Sequence, residues 1–264
     1  MTRILCAAAA FTLAAVSVSA QQPAAPAGPR PDLSGTWSTF PGVNPFSALR
    51  RESASGEELR KVDPVAIRGA RQQVQGAQPW TDAPSYKPEF QAKVRDLDAR
   101  QSKTDPVFYC DRPGLPRVGP PRRIIQLPNE IVFLYEDMSG DPYRIIPTDG
   151  RPHRAGANPS YYGDAVGRWE GTTLVIDVRN FVEDTWFGEK GYFHTDALRV
   201  TERLWRQGEN LVWQATVEDP NVLAAPWTLA PRMIRPSTQP LEESPACREQ
   251  DGSRLRNDDH HDQR

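Results

Sequence analysis

Short runs of alternating apolar and polar residues dominate the chain from residue 123 onward. Eight such runs, each bounded by Gly, Pro, Asn or Asp, cover 123–127, 130–136, 142–147, 166–170, 172–179, 197–206, 210–218 and 227–235. Alternation with a period of two places successive side chains on opposite faces of a strand. Turn residues at the joins are typical of hairpins. The pattern predicts a mainly β domain built as an antiparallel meander of about eight strands.

Two of these runs show the faces of the sheet clearly. Leu174, Ile176 and Val178 share one face of the run 172–179, and Leu211 and Trp213 begin the apolar face of the run 210–218. Each strand therefore has one face that must be buried. Closing the sheet into a barrel removes its exposed edges, and about eight strands leave room for one small ligand. We predict a barrel, and a two-sheet sandwich is the alternative.

The N-terminal part of the chain has a different pattern of apolar and polar residues. A short strand is predicted over 32–37, followed by a helical and irregular insertion at about 50–104. Within it, Pro88 suits the first position of a helix, and Phe90, Val94 and Leu97 follow at helical spacing. This spacing predicts a helix with one apolar stripe that packs against the sheet.

The chain begins like an exported protein. Residues 1–20 combine a basic start, an apolar run and small residues before position 21, which is the pattern of a cleavable signal peptide. The apolar run is shorter than the roughly 20 residues of a spanning helix, so no membrane anchor is expected. We predict a Pro/Ala-rich leader over 21–31, a single domain over 32–241 and a polar tail over 242–264. The expected location is the periplasm or the cell exterior.

Cleavage of that signal would leave two cysteines, Cys110 and Cys247. An even number of cysteines in an oxidising compartment favours a disulfide. We expect these two to pair, and the alternative is two separate thiols.

The charge of the chain argues against a polyanionic partner. Lys and Arg number 32 against 34 Asp and Glu, which gives a net charge of -2, and neither sign is gathered into long blocks. Nucleic acids and anionic membranes attract basic patches, so the expected partner is a small molecule. The oligomeric state is not determined by the sequence.

Several short motifs occur together along the chain. They are Asp-Leu-Ser-Gly-Thr-Trp at 32–37, Cys110 with Pro-Gly-Leu-Pro-Arg at 113–117, Glu-Ile-Val at 130–132, Asp-Gly-Arg-Pro-His at 149–153, Gly-Arg-Trp-Glu-Gly at 167–171, and His194 leading to Glu202 and Arg203. Through them the chain resembles, over about 32–247, a family of exported bacterial proteins of unassigned function.

The Gly-Thr-Trp element at 35–37 is also similar to the opening strand of lipocalins. In that family the tryptophan lies under an arginine from a late strand, a place that the resemblance gives to Arg232 or Arg235. The long helical insertion departs from the lipocalin pattern. The resemblance therefore implies a lipocalin-like barrel and no particular ligand.

Candidate catalytic residues surround the strand that begins near Ala197. His194 and Asp196 precede this strand, and Glu202 lies on the same face as aliphatic neighbours, so we expect Glu202 inside the barrel. A buried carboxylate needs a partner. One hypothesis pairs it with His194 or His153 as a general base, with Asp196 in support.

The alternative for Glu202 is a structural ion pair with an arginine. The candidates are Arg168, Arg199 and Arg203.

Aromatic residues supply candidate ligand contacts. They are Trp186 and Tyr192 beside a Gly-rich turn, Tyr161 and Tyr162 in a loop, and Trp169 at a hairpin, where a core role is the alternative.

The sequence contains no Gly-x-Ser-x-Gly, phosphate-binding loop, His-Glu-x-x-His or Cys-x-x-Cys motif. We therefore predict no cofactor and no metal. A metal held by distant residues, among them His153 and His194, stays open, as does a weak surface site at His260 and His261.

Three functions follow from these observations. The first is a barrel that binds a small, mostly apolar organic molecule. The second is a cofactor-independent lyase, isomerase or hydrolase that uses a His/carboxylate pair. The third is an envelope component whose barrel interior is filled.

Overall fold

The computed structural model describes residues 30–39, 74–137, 140–244 and 247. The predicted signal peptide, residues 21–29 of the leader, residues 50–73 of the insertion and residues 248–264 of the tail lie outside this range. The helices are α1 (Pro88–Ala99), α2 (Gln101–Thr104) and a 3-10 helix (Pro106–Tyr109). The strands are β1 (Gly35–Ser38), β2 (Arg123–Gln126), β3 (Glu130–Leu134), β4 (Tyr143–Pro147), β5 (Asp164–Glu170), β6 (Thr173–Arg179), β7 (Arg199–Gln207), β8 (Asn210–Glu218), β9 (Trp227–Thr228) and β10 (Arg232–Pro236).

These strands form one antiparallel sheet that is nearly closed into a barrel, which confirms the predicted fold class. The order of the strands is β4-β3-β2-β1-β10-β8-β7-β6-β5, with β9 beside β8. Neighbours in the sheet are thus neighbours in sequence, with two exceptions: β10 pairs with β8 while β9 lies off this path, and β1 joins the first and last parts of the meander by pairing with β10.

β4 and β5 are the two end strands of the sheet. The boundary between them differs in strand direction from the hydrogen-bonded boundaries between the other strands. Nine strands follow one another along the path, and each hydrogen-bonded pair is antiparallel. Since an odd number of alternating strands cannot close with another antiparallel pair, β4 and β5 run in the same direction. We call this β4/β5 boundary the seam. The chain from 148 to 163, which we call the return loop, must therefore run back to the beginning of the seam.

The two strands of the seam touch at Gly167. A Cβ atom on Gly167 would lie 3.0 Å from Thr148 Cγ2 and 3.1 Å from Ile146 Cγ2. A larger residue would push the strands apart, since contacts this short require a neighbour to move. Glycine therefore permits the close approach that narrows the barrel at this point.

Side chains fill the centre of the barrel. The cross-strand rows on the inner face are Leu174, Leu204 and Trp213; Ile176, Glu202 and Ala215; and Val178, Val200 and Val217. All nine are buried, and the faces are those that the alternation predicted. The centre is thus a packed core, as in small barrels whose interior is occupied by side chains.

The predicted strand 227–235 is divided in two. Its first part pairs Thr228 with Thr216, and its second pairs Arg232 with Trp213, so the register shifts by one residue between them. Pro231 lies in this step and has no N–H to donate to a ladder. The extra residue makes a bulge-like break that separates β9 from β10.

The helix predicted from Pro88 is present as α1. Phe90, Val94 and Leu97 pack against the core as expected. The loop that follows β6 approaches this helix so closely that a Cβ on Gly191 would lie 2.7 Å from Leu97 Cβ and from the carbonyl oxygen of Val94.

The arginine that the lipocalin resemblance implied is different in the structure. Arg206, with its Cζ 5.4 Å from the ring centroid, lies over Trp37, whereas Arg232 lies over Trp213. The expectation for Arg232 and Arg235 is therefore wrong, because β7 rather than β10 supplies the cation.

The disulfide between Cys110 and Cys247 is present and confirms the predicted pairing. In the described part of the chain, no helix combines the length and apolar character needed to cross a bilayer.

Candidate functional site

A cavity of about 590 Å³ lies where the two strands of the seam begin. We call it the seam cavity. β4 contributes Tyr143 to Ile145 to its wall, and β5 contributes Asp164 to Val166. The return loop contributes two further groups of residues to the wall: Arg151, Pro152 and Arg154, and Ser160, Tyr161, Tyr162 and Gly163. Arg112, near the 3-10 helix, also lines it. A volume of this size lies in the range of pockets that hold small organic molecules.

The return loop is attached to the barrel through Asp164. This carboxylate accepts hydrogen bonds from the backbone N–H of Arg154 at 3.0 Å and from Arg154 Nε at 2.6 Å. Burial alone would raise the pKa of Asp164, but the bonds from Arg154 and His153 hold that pKa below its ordinary value. The aspartate is therefore ionised at neutral pH and fixes one wall of the cavity.

His153 strengthens the same attachment. Its Nδ1 lies 3.0 Å from Asp164 Oδ2, and its Nε2 lies 3.1 Å from Asp177 Oδ2 on β6. An imidazole can donate to both carboxylates only when both of its nitrogens carry protons. His153 thus links the return loop to two strands and does not line the seam cavity.

The turn before β5 requires glycine. Gly163 has φ +64°, and a Cβ there would lie 2.6 Å from the carbonyl oxygen of Arg179. This position therefore excludes any side chain and lets Tyr162 enter the core beside Tyr135, with the two rings stacked 6.4 Å apart.

A buried ion pair lies between the seam and the centre of the barrel. Arg144 Nη1 lies 2.6 Å from Glu202 Oε2, and the two side chains are only 3% and 0% exposed. Glu202 Oε1 also accepts from Trp213 Nε1 at 2.9 Å, and Tyr135 Oη accepts from Arg144 Nη1 at 3.0 Å. Burial disfavours the charged guanidinium, but Glu202 and Tyr135 outweigh it and raise the pKa of Arg144 above its ordinary value.

This polar cluster is not fully satisfied. Among the described residues, Arg144 Nε, Arg144 Nη2 and the hydroxyl of Tyr162 are buried without a hydrogen-bond partner. Glu202 Oε2 also lacks an aligned donor, so its contact with Arg144 is an ion pair and not a well-directed hydrogen bond. Buried polar groups usually have partners. Arg144 and Tyr162 are both among the residues around the seam cavity, but these donor atoms are themselves buried and do not face its open space.

The predicted catalytic residues do not form one site. Glu202 lies inside the barrel as expected, but it contacts Arg144 and Trp213 and neither histidine. The structural alternative was closer, although the partner is Arg144 and not Arg168, Arg199 or Arg203. Asp196 lines a different cavity, of about 750 Å³, together with Asp219.

His194 is buried in a neutral form. Its Nδ1 lies 2.9 Å from the carbonyl oxygen of Thr195, which can only accept, so Nδ1 carries the proton. Nε2 then accepts from the Thr185 hydroxyl at 2.7 Å. Burial lowers the pKa of His194, while the Thr195 bond and Asp219 oppose that effect. Both nitrogens are occupied by the protein itself.

We expect His194 to make stability depend on pH below its ordinary pKa of 6.5. The unfolded chain takes up a proton as the pH falls through this value, whereas the folded chain resists it. The free energy of unfolding should therefore be unaffected by His194 above pH 6.5 and fall below it, by at most about 1.4 kcal/mol per pH unit.

Urea unfolding at pH 7.5 and 5.5 measures this dependence. His194→Gln should reduce the loss of stability on acidification, and His153→Gln should leave the part due to His194 intact. The same loss in the wild type and in His194→Gln would show that His194 does not carry the effect.

The five predicted ligand contacts have three different environments. Tyr161 and Tyr162 line the seam cavity. Trp169 packs against the core and lines a smaller cavity of about 300 Å³. Trp186 and Tyr192 belong to the packed end of the barrel, where Tyr192 lies 5.7 Å from Trp227 and 5.9 Å from Phe187 between ring centroids.

Most residues of the candidate site were not anticipated, among them Arg112, Tyr143 and Arg144. A signal for Arg144 exists in the sequence, because it occupies the same face of its strand as Ile146, and a charge at an inward position is rare without a partner. No comparable signal marks Arg112, whose position depends on the path of the loop after the disulfide.

Within the described residues, no group of three or more His, Cys, Asp or Glu side chains is arranged to hold a metal ion. Comparisons of the chain with protein-family models, with curated proteins and with solved structures find no match.

Proposed function

We propose that this protein binds a small organic molecule in the seam cavity. The observation that carries the proposal is a cavity of about 590 Å³ at the seam, lined by aromatic, aliphatic and charged side chains. The ligand would enter beside the barrel, between β4 and β5, because the centre of the barrel is filled by the core. The cysteine bridge is compatible with export to an oxidising compartment, which we propose as the place where binding occurs.

The wall of the cavity supports a ligand of mixed character. Tyr143, Ile145 and Tyr161 supply aromatic and aliphatic surface, while arginines supply hydrogen-bond donors. Small-molecule sites combine predominantly apolar walls with a few placed polar groups. The proposed ligand is therefore less apolar than the sequence suggested.

Binding explains the geometry better than acid/base catalysis does. The histidine and carboxylate that the catalytic hypothesis requires have separate partners, and both nitrogens of His194 contact protein groups. A general base must reach the proton that it removes. No pair of the four predicted catalytic residues is assembled for that purpose in the seam cavity.

A cavity-filling variant tests the proposal. Ala165 lies opposite Val178 on β5, packs against the core and lines the cavity, so the larger side chain of Ala165→Trp should narrow the cavity at this wall. We expect at least one of 2-naphthol, 2-naphthamide and 2-naphthoate to bind saturably to the wild type, and Ala165→Trp to weaken that binding by about tenfold or more. Titration followed by probe fluorescence measures both.

The fold of the variant is checked by its circular dichroism and melting temperature. Should Ala165→Trp fail to fold, Tyr161→Ala removes an aromatic wall instead and should also weaken binding. The proposal is overturned if no probe binds saturably at millimolar concentration, or if binding is the same in the wild type and in a folded cavity variant.

A further inference from the structure

We propose that the ligand of the seam cavity is a short extended peptide that adds to the sheet as a strand between β4 and β5. This inference rests on the proposed binding function and adds the chemical class of the ligand. Its support comes from the directions of the two strands, from the backbone groups that they turn toward the seam, and from the cavity beside them.

The sheet is one strand short of closing with antiparallel pairs throughout. Nine strands lie along the path from β4 to β5, and no ladder or isolated bridge joins these two end strands in the described part of the chain. Because β4 and β5 run in the same direction, a single strand of the opposite direction is antiparallel to both. A peptide bound in that position would complete a ring of ten alternating strands and remove both sheet edges.

The backbone of β4 presents hydrogen-bonding groups to the seam. In an antiparallel ladder, the N–H and C=O of one residue point to the same neighbouring strand, and successive residues alternate between the two sides. The N–H of Thr148 donates to the carbonyl oxygen of Asn129, on the β3 side. Counting back by twos from Thr148, Arg144 is bonded to β3. Tyr143 and Ile145 therefore direct their N–H and C=O groups toward the seam.

The backbone of β5 presents a matching edge. Its hairpin with β6 has a two-residue turn that begins with Gly171 at φ +60°, the arrangement of a type II′ turn. Glu170 and Thr173 flank this turn and form a hydrogen-bonded pair. Counting back by twos from Glu170, Asp164 is bonded to β6, so Ala165 directs its N–H and C=O groups toward the seam. Donors and acceptors thus lie on both sides of an inserted strand.

The cavity lies beside these two edges. Its wall includes three consecutive residues of each strand, Tyr143 to Ile145 and Asp164 to Val166. Tyr143 and Ile145 are 66% and 52% exposed, so this part of β4 is accessible to a partner. Beyond it, β4 and β5 touch at Gly167, which leaves no room for a strand between them. The site therefore suits a segment of about three residues.

A peptide backbone matches these groups better than a flat ring does. Strand addition gains affinity from main-chain hydrogen bonds and specificity from the alternating side chains of the peptide. A peptide offers a donor and an acceptor to each edge in turn, whereas a ring leaves the backbone groups of both strands without partners. Because Tyr143 and Ile145 project outward, apolar side chains on the outer face of the peptide would pack beside them.

N-acetyl-Val-Ala-Val-amide tests the strand pairing when it is compared with analogues that carry one N-methylated amide. N-methylation removes an N–H, leaves the charge unchanged and adds a single methyl group. We expect the wild type to bind the unmodified peptide saturably. N-methylation at any of the three residues should weaken binding by about tenfold or more, the effect of one hydrogen bond left unmade. Isothermal titration calorimetry measures the affinities. The infrared amide band of an isotope-labelled carbonyl in the bound peptide should shift to the position of an antiparallel sheet.

Two variants at one position separate the backbone group from the side chain. Ile145→Pro and Ile145→Ala both remove the isoleucine side chain, but only proline removes the N–H that faces the seam. The ladder with β3 does not use this N–H, and sheets tolerate proline on an edge strand, so both variants should fold. We expect Ile145→Ala to bind the peptide at least about ten times more tightly than Ile145→Pro. Circular dichroism and the melting temperature check the fold, and the N-methylated peptides test the same hydrogen bonds in the wild type should Ile145→Pro fail to fold.

Three results would overturn the inference. They are equal affinities for the unmodified and N-methylated peptides, equal peptide affinities of folded Ile145→Pro and Ile145→Ala, and peptide binding that a folded Ala165→Trp leaves unchanged. If the peptide does not bind while a naphthalene probe does, the cavity binds ligands but accepts no strand, so the proposed function survives without this inference. If neither the peptide nor any naphthalene probe binds, the proposed function fails as well.

Discussion

Replacing Glu202 with Gln should lower the free energy of unfolding by about 3–5 kcal/mol, the cost of leaving one member of a buried ion pair without its partner. Glutamine keeps the size of the side chain and an oxygen that can accept from Trp213 Nε1. It removes the charge that offsets the buried guanidinium of Arg144, which lies 2.6 Å away. Urea or guanidinium unfolding of the wild type and the variant measures the difference.

Glu170→Gln is the matched control for this substitution. Glu170 pairs with Arg168 and Arg203 on the surface, and its side chain is 40% exposed. Exposed pairs contribute about 0–1 kcal/mol, so the control should be almost as stable as the wild type. Equal stabilities of Glu202→Gln and Glu170→Gln would show that the buried pair does not stabilise the fold.

Replacing both members of the pair tests why it is there. Arg144→Met with Glu202→Leu removes both charges together, and such exchanges are often neutral or stabilising. We expect the double variant to recover most of the stability lost in Glu202→Gln. Loss of probe binding in a stable double variant would indicate that the pair is retained to shape the wall of the seam cavity, which Arg144 lines.

The strands and the helix α1 could be predicted from the sequence because the residue patterns that indicate them are local. Alternation placed Leu174, Ile176 and Val178 on one face, and each of them is buried in the barrel. Helical spacing after Pro88 likewise predicted α1 and its packed side. Both patterns depend on the repeat of the backbone, which is the same wherever the element lies in the fold.

The division of the last strand could not be predicted in the same way. Each side of Pro231 satisfies a strand pattern, and the shift in register depends on the pairing with β8. Similarly, the parallel seam follows from the number of strands around the barrel and from no single motif. The cavity lies at this seam, so its position could not be predicted from the sequence.

The partner of Glu202 shows where the site prediction fails. Arg199 and Arg203 are near Glu202 along the chain and Arg168 is 34 positions before it, but alternation and pairing leave Arg168 and Arg203 on the surface with Glu170. Arg144 is 58 positions away in the numbering and reaches Glu202 from across the seam. Closure of the sheet decides which strand lies opposite a carboxylate inside the barrel. No local sequence pattern predicts that closure, so the partner of Glu202 could not be predicted.

The contacts of the two histidines likewise depend on how segments of the chain approach each other in the fold. His194 precedes a strand and follows a Gly-rich turn, a setting typical of both functional loops and packed corners. Its nitrogens are occupied by Thr185 and Thr195, contacts that depend on the approach of the loop to itself. His153 is instead part of the attachment of the return loop, so it influences the cavity through Asp164 without lining it.

Removal of the disulfide should be the other large perturbation. The bond between Cys110 and Cys247 joins residues 137 positions apart. In the chain-entropy model, a loop of this length stabilises the fold by roughly 4–5 kcal/mol, because it restricts the unfolded chain. Cys110→Ser with Cys247→Ser should therefore lower the free energy of unfolding by up to that amount, a large part of the about 5–15 kcal/mol typical of a domain.

Two contacts of the described part of the tail make the origin of this effect testable. Near the bridge, the backbone N–H of Glu242 donates to Glu136, and that of Ser244 donates to Asp141. A chain that ends at residue 241 and carries Cys110→Ser lacks both contacts and the bridge. If restriction of the unfolded chain dominates, this truncated chain and the double serine variant should have similar stability, both well below the wild type.

Loss of the disulfide should change the structure of the barrel less than it changes the wall of the seam cavity. None of the strand ladders includes Cys110, so the β-sheet signal in circular dichroism should persist after the substitution. Arg112 follows two positions later, and Asp111 accepts from the Tyr161 hydroxyl at 3.2 Å, so loosening this segment should weaken probe binding. A double serine variant within about 1 kcal/mol of the wild type and with unchanged probe affinity would contradict both expectations.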